Sequence, residues 1–359
     1  MIRIEKPFHG AVLNRRHGQE VNGGLQIEVA GEAPLWDKVM VNGQVAHRAG
    51  GRFSAGVILR ERGTDIVATS EGPFGQSQHR IRVVWDKKSF PRYRFSIDDN
   101  SFFLRDIAQK RYKSLFDCFY LRILQNLNKK YDAKFVLNIY YTTGDDFSLP
   151  LLSDKYKGEW ADNAHWLKLS FHAYANLPDR PYQYASAAKL ASDYDLVEAE
   201  VRRFASDDTW SPPTVIHWGM LQPAVLPVLV ERGVRVLSGT ARTTSGGYDV
   251  NYMLDEARSD YLSRHDALKD FVSGIVYSHI DICCNNVPLD QTKARLEPLL
   301  TDPDNAEIMD LFTHEQYFWP FYQRHVPDHA DRLNAAIGFC AEHGYKPVFF
   351  HEGFLGAPE

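Results

Sequence analysis

The chain has 359 residues, of which 44% are hydrophobic and 24% charged, with a formal net charge of -5 and a mean hydropathy of -0.37. That length suits two domains with sizeable cores, and the ordinary apolar content, with no run of spanning length, argues against a disordered or membrane-spanning class. The mild acidity and scattered Lys and Arg side chains exclude the basic stripe that binds phosphate backbones, so no nucleic acid partner is expected.

The chain opens on Met1, Ile2, Arg3, Ile4, Glu5 and Lys6, which alternate like a strand and lack the apolar stretch of a secretory signal; a cytoplasmic location is therefore expected. From Met1 to Lys88 short alternating runs, Leu25 to Val29, Lys38 to Val41, Asp65 to Thr69 and Arg80 to Trp85, are separated by turns such as Asn22-Gly23-Gly24, Asn42-Gly43 and Gly50-Gly51. Residues 1–88 therefore read as a small all-β sandwich of immunoglobulin-like type, serving as a spacer, a lid support or a carbohydrate-binding module.

Beyond Pro91 strands alternate with helical segments, the pattern of an α/β architecture over residues 89–359. The expected strands are Tyr93 to Ile97, Phe135 to Tyr140, Leu167 to Phe171, Val215 to Trp218, Val234 to Leu237, Met309 to Phe312 and Pro347 to Phe350. Leu104, Ile107, Leu115, Ile123 and Leu127 keep near-helical spacing and predict one long helix from Ser101 to Leu127, with further helices over Tyr182 to Phe204 and Pro223 to Arg232. The segments Thr142 to Ala164 and Thr240 to His279 read as long loops of the kind that shape a binding site.

Two strand ends carry the chemistry. Phe95-Ser96-Ile97-Asp98-Asp99-Asn100 closes an apolar strand on paired carboxylates, and a turn there would aim both toward the mouth of a barrel; the plain alternative is an Asp-rich turn capping the following helix. Leu167-Lys168-Leu169-Ser170-Phe171 runs into His172, and on a helical turn His172 and Asn176, four apart, would share a face and one divalent ion. A strand-end His also serves as an ordinary hydrogen-bonding group. Cys118, Cys283, Cys284 and Cys340 sit in no nucleophile motif and read as free thiols.

These segments resemble the polysaccharide deacetylase family, the NodB-homology fold, whose first motif, Thr-Phe-Asp-Asp-Gly, is matched here by Ser96-Ile97-Asp98-Asp99-Asn100. The resemblance implies a distorted seven-stranded (β/α) barrel of the glycoside hydrolase and deacetylase type. It makes Asp98 the general base, and Asp99 and His172 metal ligands. Asn176 stands where the family's second motif has a second His, and His217, in His217-Trp218-Gly219, is a candidate to complete the site unless it simply packs beside Trp218. The family's closing Leu-x-His triplet is echoed by Phe312-Thr313-His314, which makes His314 the general acid; the plain reading is a surface His, and His351 competes.

The implied cofactor is a divalent metal, zinc by its donor types, and the implied partner is a carbohydrate. The metal would activate water, Asp98 would take its proton, the Trp218 amide would help hold the oxyanion, and His314 would protonate the leaving group. The expected product is a deacetylated sugar. Trp160, Tyr174 and Trp218 are the expected sugar-contacting aromatics, within a wider set that includes Tyr140 and Tyr248. Two other readings stand beside this one: a glycoside hydrolase drawing on Asp98, Asp99, Glu159, Asp281 and Glu315, and a non-catalytic carbohydrate-binding protein.

Overall fold

The structure is a computed structural model and describes residues 1–352 except Phe74, Asp145 and 240–248. The fold is mixed α/β. Strands Arg3–Lys6, Gln19–Val21, Gly24–Glu32, His47–Ala49 and Arg52–Leu59 form one five-stranded sheet, and Val12–Leu13, Lys38–Val41, Gln44–Val45, Gly63–Gly72 and Gly75–Trp85 form a second. Alternation along these strands sends Leu25, Ile27, Val29 and Val57 of the first sheet and Ile66 and Val83 of the second into one shared apolar cluster. The hairpin joining Lys38–Val41 to Gln44–Val45 turns on Asn42 (φ 47) and Gly43 (φ 80), which supply the positive φ pair that a two-residue turn needs.

In the second half, Leu167–Ala173, Phe135–Tyr140, Arg92–Asn100, Ile308–His314 and Ile282–Cys283 lie side by side in parallel. A smaller sheet orders Val236–Gly239, Val276–His279 and Ala267–Lys269. Backbone hydrogen bonds carry the neighbour relation further: Ser211 N donates to Leu169 O at 3.0 Å, Ser238 N to Thr214 O at 2.6 Å, and Asp281 N to Asp310 O at 3.0 Å.

Helices Phe102–Lys110, Phe119–Tyr131, Ala187–Phe204 and His329–Glu342 supply buried apolar residues to the same cluster as the strands. On Arg92–Asn100 the alternation is sharp. Tyr93, Phe95 and Ile97 join that cluster, while the intervening Arg94, Ser96 and Asp98 are polar yet buried. Arg94 donates to Asp310 (Nε to Oδ1, 2.5 Å) and to Thr214 (Nη1 to Oγ1, 2.6 Å).

The two halves share buried surface. Val84 joins Val236, Ala267, Val276 and Ile308, residues at or near the starts of their strands, in one apolar cluster. Glu307, fully buried there, accepts from Arg16 Nε at 2.7 Å and Ser89 Oγ at 2.5 Å. Residues of the first 88 thus pack against the strand starts, leaving the strand C-terminal ends for chemistry.

Several expectations need correction. The long helix from Ser101 to Leu127 is two helices: Arg111 takes a left-handed φ of 48, and Ser114 with Asp117 forms a capping box that starts a new turn. No helix follows His172, because the chain is irregular until Ala187. Val215 to Trp218 is not a strand; His217–Gly219 is a single 3-10 turn. Pro347 to Phe350 holds only the short strand Lys346–Pro347 and the beginning of a 3-10 turn. The supposed loop from Thr240 to His279 contains helix Glu256–Leu262 and strands Ala267–Lys269 and Val276–His279. Their brevity hid them from periodicity. Among the described residues no helix is long and apolar enough to cross a membrane.

Candidate active site

The paired carboxylates sit on a local irregularity. Strand Arg92–Asn100 pairs with Phe135–Tyr140 through Ile97 and resumes at Asn100, and Asp99 between them adopts φ 60. A strand would send Asp98 and Asp99 to opposite faces, whereas this bulge re-aims one of them. A second register shift falls beside His172, between the pairs Ile139 with Phe171 and Tyr140 with Ala173. His217 opens the 3-10 turn in which Trp218 has φ 64.

These three irregularities bring together residues distant in sequence. His172 Nε2 lies 3.2 Å from Asp99 Oδ1, His217 Nδ1 lies 3.3 Å from the same oxygen, and the two imidazole nitrogens are 3.1 Å apart. The far side of each ring fixes its proton: His217 Nε2 donates to the Asn176 carbonyl at 3.1 Å, and His172 Nδ1 faces the Val215 carbonyl at 3.5 Å. With those protons outward, two imidazole lone pairs and a carboxylate oxygen converge. For zinc–ligand bonds of about 2.0–2.1 Å a tetrahedron has edges of about 3.3–3.4 Å, close to all three separations. The donor set and its spacing fit a divalent cation held by Asp99, His172 and His217.

Burial would raise the Asp99 pKa, but when their inner nitrogens are also protonated, His172 and His217 donate to it and hold it well below the usual carboxylate range; a bound cation would take the place of those two protons. Burial likewise disfavours a charged His172, yet its bond to Asp99 and the charges of Asp98 and Asp99 leave its pKa above the ordinary imidazole value. Two further side chains hold Asp99. Tyr140 Oη donates to Oδ1, and Gln316 Nε2 donates to Oδ2 at 2.8 Å.

Asp98 is 4% exposed and accepts from Asn138 Nδ2 at 2.6 Å. It stands opposite His314 in the pairing of their strands, so the expected base and acid flank the same rim. His314 Nδ1 donates to Asn285 Oδ1 at 2.9 Å.

The remaining expected residues are placed differently. Asn176 borders the cluster, but its Oδ1 pairs with Tyr140 Oη at 3.2 Å and its carbonyl orients His217, so the helical argument for it as a ligand fails. Trp160 does not reach a sugar: it is 2% exposed and packs on Phe103 and Phe204, because helix Lys157–Asn163 turns it into the core. Tyr174 is exposed and stacks on Tyr141, and Trp218 is half-buried with the Arg180 guanidinium 4.4 Å over its ring. Tyr248 lies outside the described residues. His351 stacks on Phe349, whose ring is also approached by Lys134 and Lys168 beside the strand starts, away from the cluster. All four cysteines are free. Sequence reasoning missed the role of Tyr140 and overlooked Gln316, Asn138 and Asn285; a Tyr ending the strand beside the Asp pair was the available signal.

No family model matches the chain, and no curated protein matches it. Among solved structures, a 4-alpha-glucanotransferase from Thermococcus litoralis is 14% identical over 74% of this chain at a TM-score of 0.47, and the match spans 40% of that protein. A Bacteroides ovatus GH5 xyloglucanase in complex with a XXXG heptasaccharide is 9% identical over 96% of this chain and 99% of its own (TM-score 0.23). A putative alpha-galactosidase from Bacteroides fragilis NCTC 9343 is 11% identical over 95% and 78% (TM-score 0.28). These three are named for action on carbohydrates, and none is named as a deacetylase. At such scores they carry no argument about this chain's chemistry, and the deacetylase and immunoglobulin-like resemblances gain nothing from them.

Proposed function

We propose that this protein is a metal-assisted hydrolase that removes an acetyl or similar acyl group from a carbohydrate, its strands closing into a distorted ring of seven. The observation that carries the reading is the convergence of Asp99 Oδ1, His172 Nε2 and His217 Nδ1 within 3.1–3.3 Å of one another beside Asp98. A divalent cation bound there supplies Lewis acidity and lowers the pKa of water.

The chain's own residues do the rest. Asn138 occupies Asp98 Oδ1, which leaves Oδ2 to take a proton from the attacking water. Asn285 accepts from His314 Nδ1, which turns Nε2 outward to protonate the leaving amine or alcohol. Tyr140 and Gln316 hold the Asp99 carboxylate in one orientation.

Cleavage of a glycosidic bond is the second reading, suggested by the carboxylates Glu159, Asp281 and Glu315 that the chain offers beside the Asp98-Asp99 pair. It requires two carboxylates facing one bond. Of the candidates, Glu159 accepts from Ser114 Oγ and Leu115 N, Asp281 accepts from Asp310 N, and Glu315 accepts from three backbone amides at the start of helix Phe102–Lys110. Those engagements favour the acyl reading. The test is release of acetate and of reducing sugar from acetylated glycans, with and without chelator. Acetate release that needs added zinc is expected; chelator-insensitive release of reducing sugar alone would overturn the proposal.

A further inference from the structure

A cavity of about 390 Å³ opens beside the cluster, lined by Asp99, Tyr140 and Gln316 together with Arg105, Thr143 and Phe102 among others. Its volume falls in the range of small-ligand sites, roughly 300–1,000 Å³. Its two charged lining residues are unequally satisfied. Asp99 is engaged by His172, His217, Tyr140 and Gln316. Arg105, with a side chain 21% exposed, pairs at 3.5 Å with Asp146, whose own side chain is 75% exposed. An ion pair so long and so exposed contributes little and yields to a better partner.

Arg105 is also held in place. Its guanidinium lies 5.0 Å from the Phe102 ring and 5.6 Å from the Phe321 ring, and this packing limits its rotamers and lowers the entropy lost when a ligand binds. Two buried polar atoms of the lining, Gln316 Oε1 and Thr143 Oγ1, have no hydrogen-bond partner among the described residues. Both suit hydroxyl groups, and Leu177 and Tyr322 offer apolar surface for a sugar's C–H face.

We propose that this cavity is a subsite for a sugar bearing a carboxylate, a uronic acid, with Arg105 as its specificity-determining residue. The planar fork of one Arg matches a carboxylate through two parallel N–H bonds, whereas a phosphate dianion calls for more cations than this lining holds. As the identity of the substrate the assignment rests on the hydrolase reading; as a binding site it does not.

The experiment is calorimetric titration of the full chain, with chelator and again with zinc, using galacturonate, glucuronate, the neutral methyl ester of galacturonate, and glucose 6-phosphate. At least one uronate should bind about tenfold more tightly than the ester in both states, and Arg105→Gln should abolish that preference. Equal binding of acid and ester, no binding of either uronate, tighter binding of the sugar phosphate, or an undiminished preference in R105Q would each overturn the proposal. Uronate preference without any acetate release would instead remove the hydrolase reading and leave the subsite standing.

Discussion

At the scale of single residues, the site is defined by where protons are placed. The Asn176 and Val215 carbonyls take the outer faces of His217 and His172, so in the neutral rings the inner nitrogens keep lone pairs that a cation beside Asp99 can take. His172→Ala and His217→Ala should therefore each lose zinc binding by more than about 100-fold, measured by competition with a chromogenic chelator, with circular dichroism unchanged. Tyr140→Phe removes the donor to Asp99 and should weaken zinc by about 10–100-fold without abolishing it. Asp98→Asn should stop acetate release while zinc stays bound; undiminished turnover would reject Asp98 as the base.

At the scale of elements, irregular backbone positions the chemistry and ordinary capping anchors it. Helix Phe102–Lys110 begins directly after the Asp99 bulge, and its start is fixed from the opposite end of the chain. Glu315 accepts from Ser101 N at 2.6 Å, Phe102 N at 2.9 Å, Phe103 N at 2.5 Å and Trp319 Nε1 at 2.9 Å. Burial pushes its carboxyl up to about 7, while these donors favour the charged form. Glu315→Ala leaves four N–H groups, three of them buried, without their acceptor and should cost at least about 3 kcal/mol in urea unfolding. A loss below about 1 kcal/mol would show that the cap is replaceable.

At the scale of the whole molecule, residues 1–88 cover strand starts that would otherwise meet water. A fragment of residues 89–359 should show a clearly lower Tm than the full chain, because it exposes Val236, Ala267, Val276 and Ile308 and deprives Glu307 of Arg16. Equal Tm values would mean that the second half is self-sufficient. Acid sensitivity is a second global property. Burial lowers the pKa of His329 to about 3 and of His279 to about 4, from an ordinary 6.5. Below about pH 6.5 the unfolded chain binds protons that the fold refuses, so stability falls as pH drops, by up to about 1.4 kcal/mol per unit for each imidazole. The slope of Tm between pH 6.5 and 5 should flatten in His329→Gln, even though that variant is less stable at pH 7.

Sequence alone revealed what is local. A short apolar run located Phe135–Tyr140 and alternation located Lys38–Val41 to the residue, and other strands fell within a few positions, since a run or an alternation of apolar side chains reports which of them are buried. It also picked out Asp98, Asp99 and His172 as a strand-end group. Tertiary structure decided what is not local: that His217 joins Asp99 and His172, that Asn176 contributes a carbonyl to His217, that Trp160 is core, and that Gln316 reaches Asp99 across 217 positions. These depend on two bulges and a left-handed turn, and no sequence period encodes where a bulge falls, because pairing between distant strands sets it.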